Sequence, residues 1–146
     1  MLRFSKKVEY ALIALVNMET EMAPDHLVTA KSLSTQFKIP PEVMGKVLQA
    51  LVRKRLMLSV QGVKGGYTIS RALDKISVLE IIEAIDGNIA LSPCSADVDY
   101  ECDQYGYCGL QTPLDIIQNQ LALFFKRISV LDVKNKSSIF KNAAQI

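Results

Sequence analysis

The stretch from Leu56 to Ser70 restricts this chain more than any other. Leu56-Met57-Leu58-Ser59-Val60 and Tyr67-Thr68-Ile69-Ser70 are short strand-forming runs, separated by Gln61-Gly62-Val63-Lys64-Gly65-Gly66. The pattern predicts a β-hairpin with a glycine-rich, basic tip. A phosphate-cradling glycine loop would need its glycines between a strand and a helix N-terminus, and here they lie between two strands.

Two helices are predicted ahead of the hairpin. Thr29 opens a short one through Phe37, with Ala30, Leu33 and Phe37 on one face, and Lys38-Ile39-Pro40 breaks it. Pro41 suits the first turn of the next, where its missing N–H is not needed. That second helix buries Val43, Met44, Val47, Leu48, Leu51 and Val52 and ends in Arg53-Lys54-Arg55. Two helices joined by a tight turn, the second ending basic, form a helix-turn-helix pattern. Helical hairpins in ordinary cores share it, but a basic-tipped β-hairpin directly behind it makes a winged helix. Double-stranded DNA is the expected partner. Lys46, Gln49 and Arg53 lie on the polar face of the second helix, with Gly45 allowing close approach. Gln49 suits an adenine edge, and Lys46 or Arg53 a guanine or a phosphate. Gln61 and Lys64 at the hairpin tip complete the candidate DNA-binding set; the plainer reading is a solvated helix face.

The rest of the chain is helical by its periodicity. Val8, Ala11, Leu12, Leu15 and Val16 predict a helix over residues 6–20 capped by Ser5, followed by a loop over Glu21 to Leu27. Ser77-Val78-Leu79-Glu80 is a capping box that starts a helix through Ile81, Ile82 and Ile85 to near Asp86-Gly87. After Pro113, the residues Leu114, Ile117, Leu121, Phe124, Ile128 and Leu131 recur at the a/d spacing of a helix that pairs with another, and Ile116, Leu123 and Phe125 widen the apolar surface. The expected fold is mainly α with a small β-hairpin wing: a winged helix-turn-helix plus a long C-terminal dimerisation helix. Residues 1–76 form the DNA-binding region, 77–111 a linking helix and cysteine loop, 112–133 the dimerisation helix and 134–146 a flexible tail. A homodimer covers such a helix, and a symmetric dimer predicts a pseudo-palindromic operator.

Charge divides the same way. Residues 1–76 hold 12 Lys and Arg against 6 Asp and Glu, whereas residues 77–146 hold 5 against 9. A basic half joined to an acidic half fits a nucleic-acid surface attached to a separate sensing or pairing surface. No nucleophile–base pair or nucleotide motif stands out, so an enzyme is not expected. The N-terminus lacks the apolar run of a signal peptide, and the apolar part of the first helix is too short to span a bilayer, so a cytoplasmic protein is expected, with no membrane partner.

All three cysteines fall between residues 94 and 108, at the spacing C-x7-C-x5-C, in a polar, acidic stretch between two apolar segments. Three cytosolic cysteines cannot all pair internally, so metal binding or redox sensing outranks a structural disulfide. Cys94, Cys102 and Cys108 offer soft thiolates, suited to an iron–sulphur cluster (2Fe-2S or 4Fe-4S) or to zinc, and either usually takes a fourth donor. Asp97, Asp99, Glu101 and Asp103 are nearby oxygen donors; the single histidine, His26, lies far along the chain.

The chain resembles the Rrf-two family of winged-helix transcription regulators over about residues 1–133. The resemblance rests on Lys7-Val8-Glu9-Tyr10-Ala11-Leu12, Val47-Leu48-Gln49-Ala50-Leu51, Gly62-Val63-Lys64-Gly65-Gly66-Tyr67, Ile76-Ser77-Val78-Leu79-Glu80-Ile81-Ile82 and Ile128-Ser129-Val130-Leu131-Asp132-Val133. Ile89-Ala90-Leu91 ahead of Cys94, with the cysteine spacing, looks most like the members that regulate SUF-type cluster assembly. The resemblance implies a dimeric repressor that senses cluster status, iron or redox stress. It also implies Glu9, from the opposite subunit's first helix, as the fourth ligand. Some relatives place a histidine where this chain has Gln111, many carry arginine where it has Gln61, and the glycine common after the recognition helix is Arg55 here. The alternative from another class is a thiol/disulfide or structural-zinc regulator without a cluster.

Overall fold

The computed structural model describes residues 3–18, 27–96 and 99–136. Helix α1 (Lys6–Val16) begins at Ser5, whose hydroxyl accepts from the Val8 N–H, and it buries Val8, Ala11, Ala14 and Leu15. It stops short of the expected residue 20. The Asn17 side-chain amide donates to the Ile13 carbonyl at 2.8 Å, satisfying the last turn from outside the helix, and Met18 turns into the core. His26 and most of the expected loop at 21–27 lie outside the described residues.

Helix α2 (Ala30–Phe37) opens with a capping box between Thr29 and Ser32 and closes at Lys38, whose backbone is left-handed. Pro41 starts α3 (Pro41–Arg53), which buries Met44, Val47, Leu48, Ala50 and Leu51. Strands β1 (Met57–Val60) and β2 (Gly66–Ile69) pair antiparallel, with Met57 opposite Ile69 and Val60 opposite Gly66. Val28 adds a third short rung. Its N–H donates to the Tyr67 carbonyl at 2.9 Å, and the Tyr67 N–H donates back at 2.7 Å. A Cβ on Gly66 would stand 2.7 Å from the Val28 carbonyl oxygen, so glycine is what lets this rung form. The winged helix-turn-helix is therefore present as expected.

A 3-10 turn (Leu73–Lys75) leads to α4 (Val78–Ile85), which has the expected Ser77–Glu80 capping box. The main core joins Leu15, Met44, Leu48, Leu51, Met57, Ile69, Leu73, Ile76 and Ile81. Each is fully buried, worth about 1.5–3 kcal/mol per side chain, so α3 is set on a firm base. A second cluster of Val8, Val78 and Ile82 gathers Phe125, Ile128 and Val133 from the C-terminal segment.

That segment departs from the expected single helix over 112–133. After the short α5 (Pro93–Ala96), α6 runs Gln111–Arg127 and ends, and α7 (Val130–Asn135) restarts behind it. Ile128 is extended between them. Its carbonyl accepts from the Val78 N–H at 2.9 Å, and the Val130 N–H donates to the Ile76 carbonyl at 2.8 Å. Ser129 then caps α7 in a box with Asp132. Ile128 and Leu131, assigned above to the pairing seam, instead pack on the chain's own core. Helix α6 itself buries no residue completely, and Ile116, Ile117 and Leu123 are exposed. The end of the expected tail, residues 137–146, lies outside the described residues.

Candidate nucleic-acid interface and cysteine loop

The interface is built by burial. With Met44, Val47, Leu48 and Leu51 fixed in the core, helical geometry turns Lys46, Gln49 and Arg53 outward together, and all three are exposed. Gly45 sits beside them, and a Cβ added there would meet nothing within 4 Å. No packing among the described residues explains this glycine. Gln61 and Lys64 are exposed at the wing tip, where Gly62 takes φ +119° and Val63 stands fully in solvent. Arg55 joins α3 to the wing with φ +57°, a left-handed conformation that glycine would take more easily. Its carbonyl accepts from the Ser70 hydroxyl at 2.6 Å, which clamps the base of the hairpin. The same helix borders a hollow of about 220 Å³ lined by Lys46, Gln49 and Arg53, by Ile85 from α4, and by Lys7 from α1. Lys7 was quoted from sequence only within the Lys7-Val8-Glu9-Tyr10-Ala11-Leu12 motif and not as a DNA-binding candidate.

The cysteine loop is more open. Its start is held to α6 at two points: the Leu91 N–H donates to Gln118 Oε1 at 3.1 Å, and the Ser95 hydroxyl donates to Asp115 Oδ1 at 3.1 Å. Cys94, on α5, lies 3.2 Å from the Ser92 hydroxyl, and the Cys102 thiol points to Gln104 Oε1 at 3.6 Å. All three thiols are free, Cys94 and Cys102 half-buried and Cys108 exposed. Among the described residues no three His, Cys, Asp or Glu side chains are gathered as a metal ion would need. Asp97, one of the candidate oxygen donors, lies outside them. The donor chemistry suits a soft metal, but the three thiols do not form a ready-made cage. Sites of this kind commonly assemble only as the metal binds. Glu9 is paired within its own helix to Lys6, and the hydrogen bond and charge of Glu9 hold the Lys6 ammonium above its ordinary pKa.

The profile of the Rrf2 family, described as an iron-dependent transcriptional regulator, matches residues 4–136. The chain belongs to the Rrf2 family. A protein of Aquifex aeolicus named for HTH-type transcriptional regulation is 28% identical over 134 residues, covering 90% of this chain and 91% of that one. Among solved structures, CymR, the global cysteine regulator of B. subtilis, superposes with a TM-score of 0.68 at 19% identity, over 94% of this chain and 99% of that chain. T. potens IscR gives a TM-score of 0.66 at 18% identity, over 93% and 88%. The Rrf2 assignment makes this chain a DNA-binding transcriptional regulator rather than an enzyme. Among the described residues, no helix is long and apolar enough to cross a membrane.

Proposed function

We propose that this chain is a homodimeric repressor of the kind that controls iron–sulphur cluster assembly or iron supply. In this reading Lys46, Gln49, Arg53, Gln61 and Lys64 contact a pseudo-palindromic operator, with Gly45 admitting the backbone. Cys94, Cys102 and Cys108 hold an iron–sulphur cluster, with Glu9 of the opposite subunit as fourth ligand. When bound, such a cluster supplies an electron-accepting, oxygen- and iron-sensitive centre. The observation that carries the reading is the conjunction of an exposed, cation-bearing face on a buried-backed α3 with a wing beside it and a thiol triplet outside the core. The iron dependence in the family's description supports the choice of metal.

The dimer rests on α6. Ile116, Ile117 and Leu123 are exposed on it, and Leu121 and Phe125, on the other side of the helix from Ile116 and Leu123, line an apolar hollow of about 490 Å³ with Phe4 and Ile82. An uncovered apolar face of this kind is what a second copy buries. Three free, partly exposed thiols also favour a second reading, a disulfide or zinc switch without a cluster. Iron and acid-labile sulphide analysis of anaerobically purified protein separates the two. For the DNA arm, titration of the gene's own upstream region at several salt concentrations tests the proposal. Specific binding that weakens steeply with salt is expected, and binding no tighter than to unrelated duplex contradicts it.

A further inference from the structure

We infer that the hollow between α1, α3 and the end of α4 is a phosphoryl-binding pocket, with Lys7 and Arg53 as its anchors, and that it seats a backbone phosphate of the bound DNA. The inference rests on the DNA-binding reading above and adds α1 to the interface. The hollow, about 220 Å³, has room for a phosphate group and its hydration. Its lining carries three cations, Lys7, Lys46 and Arg53, together with Gln49 and Ile85. Among the described residues none of these three cations has an ion-pair partner, whereas Lys6, Arg71 and Lys75 pair with Glu9, Glu80 and Asp74. Three unneutralised positive charges around one concavity repel one another and raise its potential, which an anion relieves.

The pocket also divides the labour on α3. Arg53, three turns from the start of the helix and lining the same hollow as Lys7, presents a planar fork that matches phosphate oxygens. Gln49 and Lys46, nearer Gly45, remain free for base edges. A phosphate held from both α1 and α3 would fix the register of the recognition helix in the groove, the role that backbone contacts generally play.

The test compares Lys7→Ala with wild type and with Lys126→Ala, an exposed charge on α6 that serves as the control. Operator affinity is measured by fluorescence anisotropy across salt concentrations, and inorganic phosphate binding to DNA-free protein by NMR. Lys7→Ala is expected to weaken operator binding about tenfold at moderate salt and to flatten the slope of log K against log salt by about one. It should leave the circular dichroism spectrum unchanged, as should Lys126→Ala, whose operator affinity stays near wild type. Should the salt slope hold while Lys7→Ala abolishes a phosphate-induced shift in the free protein, the pocket takes a free phosphoryl anion and the DNA assignment is overturned. Unchanged affinity, slope and phosphate response in Lys7→Ala would overturn the pocket altogether. If Lys46→Ala still lost operator binding in that case, the DNA-binding reading would stand without it.

Discussion

At the scale of single residues, the candidate interface is where this sequence departs from what stability alone would choose. Gly45 occupies the interior of α3 although nothing surrounds the position a Cβ would take. Arg55 holds φ +57°, where glycine would be unstrained. Both choices cost the fold, and both lie where DNA is proposed to sit, the pattern expected when function opposes stability. Gly45→Ala should therefore stabilise the protein by about 0.5–1 kcal/mol in urea denaturation, yet weaken operator binding because a methyl group intrudes on the approach. Arg55→Gly should likewise gain about 1 kcal/mol from relieved left-handed strain, while losing affinity and part of the salt dependence. If either variant gained stability without losing affinity, its residue would have no part in the interface. Glu80 carries a separate prediction. Burial pushes its carboxyl up, but hydrogen bonds from the Ser77 N–H and hydroxyl, with the Arg71 charge, outweigh this and leave it below its ordinary value of 4.5. A depressed folded pKa gives stability that is present above about 4.5 and is lost as pH falls through the folded value. Glu80→Gln keeps the capping geometry without the charge. Its stability should fall less than wild type's as pH drops below 4.5, as followed by thermal melts.

At the scale of elements, the helix-turn-helix and wing were legible because their signals are local. Thr29, Pro41 and Ser77 each mark a helix start, and the glycines mark the hairpin. Periodicity misled at the C-terminus. The a/d spacing runs unbroken from Leu114 to Leu131, but the backbone breaks at Ile128 because residues 76–78 offer hydrogen bonds that a continuous helix would forgo. The corrective signal was present: Ser129 and Asp132 form a capping box as clear as that of Ser77 and Glu80, inside the apolar run. Removing that cap with Ser129→Ala should cost about 1 kcal/mol and fray α7, lowering amide-exchange protection at Asp132 and Val133, whose N–H groups donate to the Ser129 hydroxyl and carbonyl. Unchanged protection would mean that packing alone sets the break. The cysteine loop was legible only as a set of candidate thiol donors, since spacing names the thiols without saying where the chain carries them.

At the scale of the whole molecule, three parts join: a winged helix-turn-helix fixed by the main core, α6 packed on α4 with exposed apolar side chains, and a thiol loop tied to α6 through Asp115 and Gln118. The uncovered face yields a direct prediction. Ile117 is 51% exposed in the single chain, so Ile117→Glu should leave the fold intact. It should yield monomers in analytical ultracentrifugation and weaken operator binding by roughly a hundredfold, since the second half-site no longer gains from the first. A dimer that survives this change would place the interface elsewhere.

The central claim is that the state of the cysteine loop sets the affinity of the reading head. The most direct measurement is the operator dissociation constant of protein reconstituted anaerobically with iron and sulphide, beside that of the same preparation stripped of metal, with iron and sulphide assayed in both. The account predicts stoichiometric iron and sulphide, absent in Cys94→Ala, and affinities that differ by about tenfold or more, a coupling of at least ~1.4 kcal/mol. Protein that takes up no iron, or two states that bind the operator equally, would contradict it.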